Sequence, residues 1–228
     1  VKIEPFPDAS SASRAAAIFL TAECRAAIDA RGRCVVALSG GTTPSLMLRA
    51  FRREEIRWEA VHVLQVDERV APMGSVDRNL THLQDALTRD GPLKLEQIHP
   101  MPVDHGNLEE AARRYEQMIA AIAGVPPVID VVHLGLGSDG HTASLVPGDP
   151  ALEVTDFDVA VTAAYKGTRR LTMTLPILNR ARQIVWLVTG KEKAAALARL
   201  EAGDLSIPAG KVRRDRAVIF ADGGHEGR

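Results

Sequence analysis

The chain has 228 residues, 46% of them hydrophobic and 25% charged, which is the composition of an ordinary globular protein and not of a fibrous or disordered one. Its length suits one α/β domain over residues 1–228, although two small domains would also fit. With 28 basic against 29 acidic side chains and a formal charge of −1, it lacks the broad positive field of a nucleic-acid binder, so any anionic ligand must be met by a local pocket.

No apolar run nears the ~20 residues that cross a bilayer, and the opening "VKIEPFPDASS" lacks a signal-peptide core, so a cytoplasmic protein without a membrane partner is expected. Cys24 and Cys34 form neither a C-x-x-C pair nor a Cys/His ligand pattern. They read as small buried residues.

In chain order, Ala15, Ile18, Phe19, Ala22 and Ala26 follow the i, i+3, i+4, i+7 spacing of a helix with one buried stripe. "CVVAL" (34–38) is a short apolar run suited to a strand covered on both faces. "LSGGTTPS" follows it, with Pro44 placed for a first helical turn. Its glycines permit close backbone approach and its hydroxyls add donors, so Ser39, Gly40, Gly41 and Thr42 suit a phosphate, or form an ordinary strand-to-helix turn. "VHVLQV" (61–66) is a second strand, ending in Asp67, Glu68 and Arg69. Those charges serve either catalysis or a surface salt bridge. "DRNLTHLQDAL" reads as a helix capped by Asn79, with Arg78 close to the ligand edge.

The run Leu108, Ala111, Ala112, Tyr115, Met118, Ile119 and Ile122 is a second amphipathic helix. "IDVVHLGL" (129–136) is a third strand and opens onto "GLGSDGH". His141 there is either a structural histidine or a general base, with Asp139 placed two residues before it to orient the imidazole. Glycines on both sides remove side chains that would crowd a ligand. "RLTMT" alternates and carries Arg170; "QIVWLVT" (183–189) is a strand, and Lys193 in "TGKEK" falls in the first turn of a helix. A cation there opposes the helix dipole, a cost that an anionic ligand would offset. "AVIF" (217–220) is the last strand, and the "GGHEGR" tail at 223–228 is expected to fray. Lys166, Arg169, Lys211, Arg213 and Arg214 read as solvated surface charges.

Strands alternating with helices predict a doubly wound, mainly parallel sheet with helices on both faces. In such sheets ligands bind where loops leave the carboxyl ends of the strands. Four segments converge there: "SGGTTP", "DERVAP", "GLGSDGH" and "TGKEK".

Taken in order, "LSGGTTP", "VDERVAP", "DRNL", "HLGLGSDGHTASLVPG", "RLTMTLPILNRA" and "VTGKEKAAAL" resemble the 6-phosphogluconolactonase family, from about residue 10 to about residue 220. The resemblance implies a modified doubly wound domain that hydrolyses 6-phospho-D-glucono-1,5-lactone in the oxidative pentose phosphate pathway, with neither cofactor nor metal. It implies His141 as general base, assisted by Asp139, with Asp67 in the catalytic set and Arg69 either assisting at the reacting lactone or binding the substrate's charge. Ser39, Gly40, Gly41, Thr42, Arg170 and Lys193 would hold the phosphate. The only implied partner is the phosphorylated sugar lactone, with no obligate protein partner.

A related reading is the glucosamine-6-phosphate deaminase of the same superfamily. That enzyme places a glutamate five residues beyond the histidine to assist ring opening, where this chain has Val146. A third reading is a non-catalytic sugar-phosphate sensor, which would usually carry a DNA-binding module; no helix-turn-helix segment or basic arm is visible here.

Overall fold

Seven parallel strands form the central sheet of the structure, a computed structural model describing residues 1–41 and 43–222. The predicted phosphate ligand Thr42 and the tail at 223–228 lie outside the described residues. In chain order the elements are β1 (Lys2–Phe6), α1 (Ala9–Arg31), β2 (Cys34–Leu38), α2 (Ser45–Phe51), β3 (Val61–Gln65), β4 (Asp67–Arg69), α3 (Asn79–Leu87) and β5 (Ile98–His99). There follow α4 (Leu108–Ala123), β6 (Val131–Leu134), β7 (Val159–Val161), β8 (Arg170–Met173), α5 (Leu175–Arg180), β9 (Gln183–Val188), α6 (Ala194–Ala202) and β10 (Ala217–Asp222).

The sheet order is β1-β10-β9-β6-β2-β3-β5. All five apolar runs of the sequence become strands of it, because residues such as Val35 and Val36 each enter a core, on opposite faces. Helices α1, α2 and α3 cover one face; α4, α5 and α6 cover the other. The chain runs outward from β2 through β3 to β5, then returns to place β6 on the other side of β2. This reversal opens a crevice between the carboxyl ends of β2 and β6.

Several features depart from the sequence reading, among them the short β5 and β7, which it did not single out. The opening residues form β1, an edge strand paired only with β10; such an edge accommodates Pro5, which has no N–H to donate. The run 61–66 forms β3 as far as Gln65, and the segment after it, read as a loop, starts with β4 at Asp67 in a separate antiparallel sheet of order β4-β8-β7. Finally, α1 buries Ala12, Ala16, Ala17, Leu20, Cys24 and Ile28. The predicted stripe holds only in part: Ala15 and Phe19 pack against the core at its margin, whereas Ile18, Ala22 and Ala26 face outward. Alanine lies on nearly every side of this helix, so apolar spacing fits more than one face, and close approach to the sheet selects the one used.

Candidate active site

The crevice is completed by the small antiparallel sheet. In β4 side chains alternate, so Asp67 and Arg69 share one face while Glu68 takes the other. Register pairs Arg69 with Arg170 and Asp67 with Thr172, so this face presents two guanidinium groups side by side above a carboxylate. Like charges directly opposite each other in a ladder cost free energy, a cost that an anionic ligand in the crevice would offset. Asp67 is buried, which raises its pKa. The Ser144 hydroxyl 2.5 Å from Oδ2 and the Arg170 charge oppose that rise. Arg170 also reaches Ser144 Oγ at 3.3 Å, so Asp67, Ser144 and Arg170 form one network.

Behind this face, Glu68 is fully buried. Its carboxylate accepts hydrogen bonds from the backbone N–H groups of Arg69 (2.8 Å), Asn79 (2.8 Å) and Leu80 (2.9 Å), and from Gln65 Nε2 (2.8 Å). Arg78 lies 3.2 Å from the same carboxylate and 3.0 Å from Asp104. The helix cap predicted at Asn79 therefore comes from elsewhere. Arg78 is the cap residue, without a side-chain cap bond, and Glu68 satisfies the first N–H groups of α3 from a strand eleven and twelve positions away. Asn79 Nδ2 turns toward Asp67, bonding its carbonyl at 2.9 Å and its Oδ1 at 3.1 Å.

On the β6 side, His141 Nδ1 lies 2.5 Å from Asp139 Oδ1, and the His141 backbone N–H donates to the same oxygen at 3.1 Å. Partial burial opposes ionisation of Asp139, but these two bonds and the imidazole outweigh it and hold the carboxyl below its ordinary range. An ionised carboxylate only accepts, so Nδ1 carries the hydrogen, and in the neutral imidazole the free lone pair is then on Nε2. A β-carbon at Gly137 would overlap the imidazole. At Gly137 the side chain removed thus makes room for His141, whereas Gly135 has open space beside it.

Ser39 Oγ donates to the His133 carbonyl at 3.0 Å, tying the loop after β2 to β6 and committing its hydroxyl hydrogen. Gly40 lies against Asn79. Pro44 caps α2, and Ser45 Oγ donates to the Gly41 carbonyl at 3.0 Å. Lys193 ends a 3-10 turn over Lys191–Lys193 and caps α6, one position before the predicted helical turn. Of the predicted residues, Ser39, Gly40, Gly41, Asp67, Arg69, His141, Arg170 and Lys193 line one cleft of about 240 Å³. Asp139 stands behind His141. A second lobe of about 400 Å³ shares Arg69, His141 and Arg170 with the cleft. Among the described residues, no group of three or more His, Cys, Asp or Glu side chains is gathered to hold a metal ion.

Two neighbours escaped the sequence reading. His133 lines the cleft yet is only 1% exposed, and neither ring nitrogen has a hydrogen-bond partner among the described residues. Burial lowers its pKa to about 4. Tyr165 comes from the turn between β7 and β8 and touches His141 and Arg170. Nothing in "AVTAAYKGT" distinguishes that tyrosine from a surface residue until β7 and β8 fold over the crevice. Of the charges read as solvated, Arg169 is exposed and pairs with Glu109 at 2.9 Å, while Lys166 lines the second lobe.

The family model described as glucosamine-6-phosphate isomerases/6-phosphogluconolactonase matches residues 7–220. The chain belongs to this family. A 6-phosphogluconolactonase of Synechocystis is 39% identical over 90% of this chain and 88% of its own length. The solved 6-phosphogluconolactonase of Trypanosoma cruzi superposes with a TM-score of 0.86 at 27% identity, covering 98% of this chain and 94% of its own. A monomeric glucosamine-6-phosphate deaminase gives a TM-score of 0.85 at 19% identity, covering 98% of each chain. These two solved proteins thus share this architecture, and side chains, not the fold, must separate their reactions. Val146, at the position where the deaminase reading requires a carboxylate, is buried and is not among the residues lining the cleft.

Proposed function

We propose that the chain hydrolyses 6-phospho-D-glucono-1,5-lactone to 6-phosphogluconate, with His141 as general base. The observation that carries this reading is the Asp139–His141 pair, which sets the imidazole tautomer in the cleft that Arg69 and Arg170 also line. A lactone is an activated ester, so hydrolysis needs a placed water, a base and donors for the developing oxyanion. Water attacks the C1 carbonyl as its proton passes to His141 Nε2. The tetrahedral oxyanion then collapses, the bond from C1 to the ring oxygen breaks, and His141 returns the proton to that oxygen. Arg69 stabilises the charge that builds on the carbonyl oxygen. The loop at 39–41, Arg170 and Lys193 hold the phosphate, whose binding energy orients the ring at the distant reacting carbon. Val146 supports this reading over deamination, since no carboxylate is supplied there for ring opening.

The test is a rapid lactonase assay on freshly generated substrate, with spontaneous opening subtracted. His141→Ala is expected to lower kcat by about 10²- to 10⁴-fold, the usual contribution of a placed general base, with binding of 6-phosphogluconate retained. Full activity in that variant would remove the base assignment. Release of ammonia from glucosamine 6-phosphate by the wild-type protein would select the deaminase.

A further inference from the structure

We infer that Tyr165, at the tip of the β7–β8 hairpin, is a positioning residue that holds both the Asp139–His141 pair and Arg170 in place for the reaction. This rests on the lactonase reading above. Tyr165 and Thr168 face each other in an antiparallel bridge, and Lys166 and Gly167 between them have φ of 52° and 81°. Two successive left-handed residues make the tight hairpin turn whose twist matches the flanking strands. The turn fixes where Tyr165 stands.

From there one side chain reaches three residues of the site. Its hydroxyl lies 3.3 Å from Asp139 Oδ2, the oxygen that the imidazole leaves free. With Oδ1 bonded to His141 Nδ1 and Oδ2 to Tyr165, the carboxylate is held at both ends and its rotation is opposed. The ring of Tyr165 meets the His141 ring edge-on, with centroids 5.8 Å apart at 61°. Its face carries the Arg170 guanidinium 5.2 Å from the centroid, a cation–π contact. Arg170 needs such a support, because its ladder neighbour Arg69 repels it. The hydroxyl therefore acts on the base and the ring acts on the arginine. These two roles are separable by mutation.

Tyr165→Phe keeps the ring and removes the hydroxyl. It is expected to lower kcat about 3- to 10-fold, the span of one hydrogen bond, with KM within about twofold of wild type. Tyr165→Ala removes both supports. There KM is expected to rise about fivefold, from the lost contact to Arg170, with a further fall in kcat. A readout independent of turnover is the downfield proton resonance of the His141 Nδ1–H bond to Asp139, expected to shift and broaden in both variants. Thermal melts of the near-isosteric phenylalanine variant guard against a folding artefact. If both variants keep wild-type kcat and KM and the proton signal does not move, the inference is overturned. If the wild-type protein fails to open the lactone, the functional reading falls and the proton signal alone decides the positioning role.

Discussion

At the scale of single residues, His133 is the side chain whose cost is most visible. Both of its ring nitrogens are buried and unpartnered among the described residues, and burial lowers its pKa to about 4. In the unfolded chain the imidazole takes a proton near its ordinary value of about 6.5. The neutral ring therefore supports the fold above that pH, and the support is lost as pH falls from 6.5 toward 4. The full loss amounts to about 3 kcal/mol. His133→Leu, which fills similar space without polar atoms, is expected to unfold at higher temperature than wild type and to flatten this acid dependence between pH 7 and pH 4. Melts of both proteins across that range test it; an unchanged acid slope would show that His133 is not its source. The residue is invisible in the sequence as anything but one more position in "IDVVHLGL". His141, by contrast, stands out there because glycines and an aspartate surround it.

At the scale of elements, the corner from β3 to β4 organises the site. Gln65 Oε1 accepts from the Met101 backbone N–H at 2.8 Å, and Tyr115 Oη lies 2.8 Å from the Gln65 backbone nitrogen. Glu68 then joins the corner to the start of α3. A buried carboxylate surrounded by donors is unforgiving: Glu68→Gln would set an amide N–H₂ among N–H groups and take from Arg78 its buried charge partner, leaving it the exposed Asp104. The expected cost is about 3–5 kcal/mol, read from urea midpoints, whereas Arg169→Gln, which breaks only an exposed pair, is expected to cost under about 1 kcal/mol. Equal effects of the two would remove the structural role assigned to Glu68. The acid and base residues of "DERVAP" were legible as chemistry or salt bridge, and the fold divides them between the two. Asp67 and Arg69 face the cleft; Glu68 ties strand to helix.

At the scale of the whole molecule, the cleft is assembled from the loop after β2, the face of β4 and β8, the segment after β6 and the end of β9. A ligand that spans them binds only the folded chain. At one hundred times its dissociation constant, 6-phosphogluconate is expected to add about 2.7 kcal/mol to stability. The accompanying rise in melting temperature is expected to persist in His141→Ala and to shrink in Lys193→Ala, since the lysine is assigned to the phosphate and the histidine to the reacting carbon. Loss of the rise in His141→Ala with retention in Lys193→Ala would reverse those assignments.

Five of the seven strands of the parallel sheet, the amphipathic face of α4 and the convergence of four segments on one sheet edge were determined by sequence alone, because burial on both faces of a strand and periodic burial on a helix are local patterns. So was the pairing of Asp139 with His141, which stand two residues apart. Tertiary structure decided what depends on distant partners: which alanine face of α1 is buried, the separate sheet that sets Arg69 beside Arg170, the capping of α3 by Glu68, and the arrival of Tyr165 at Asp139. The physical reason is the same in each case. A contact between distant segments, whether apolar packing, a hydrogen bond or a charge pair, leaves no decisive periodicity in the chain, and its partners become apparent only when the sheets bring them within a few ångströms.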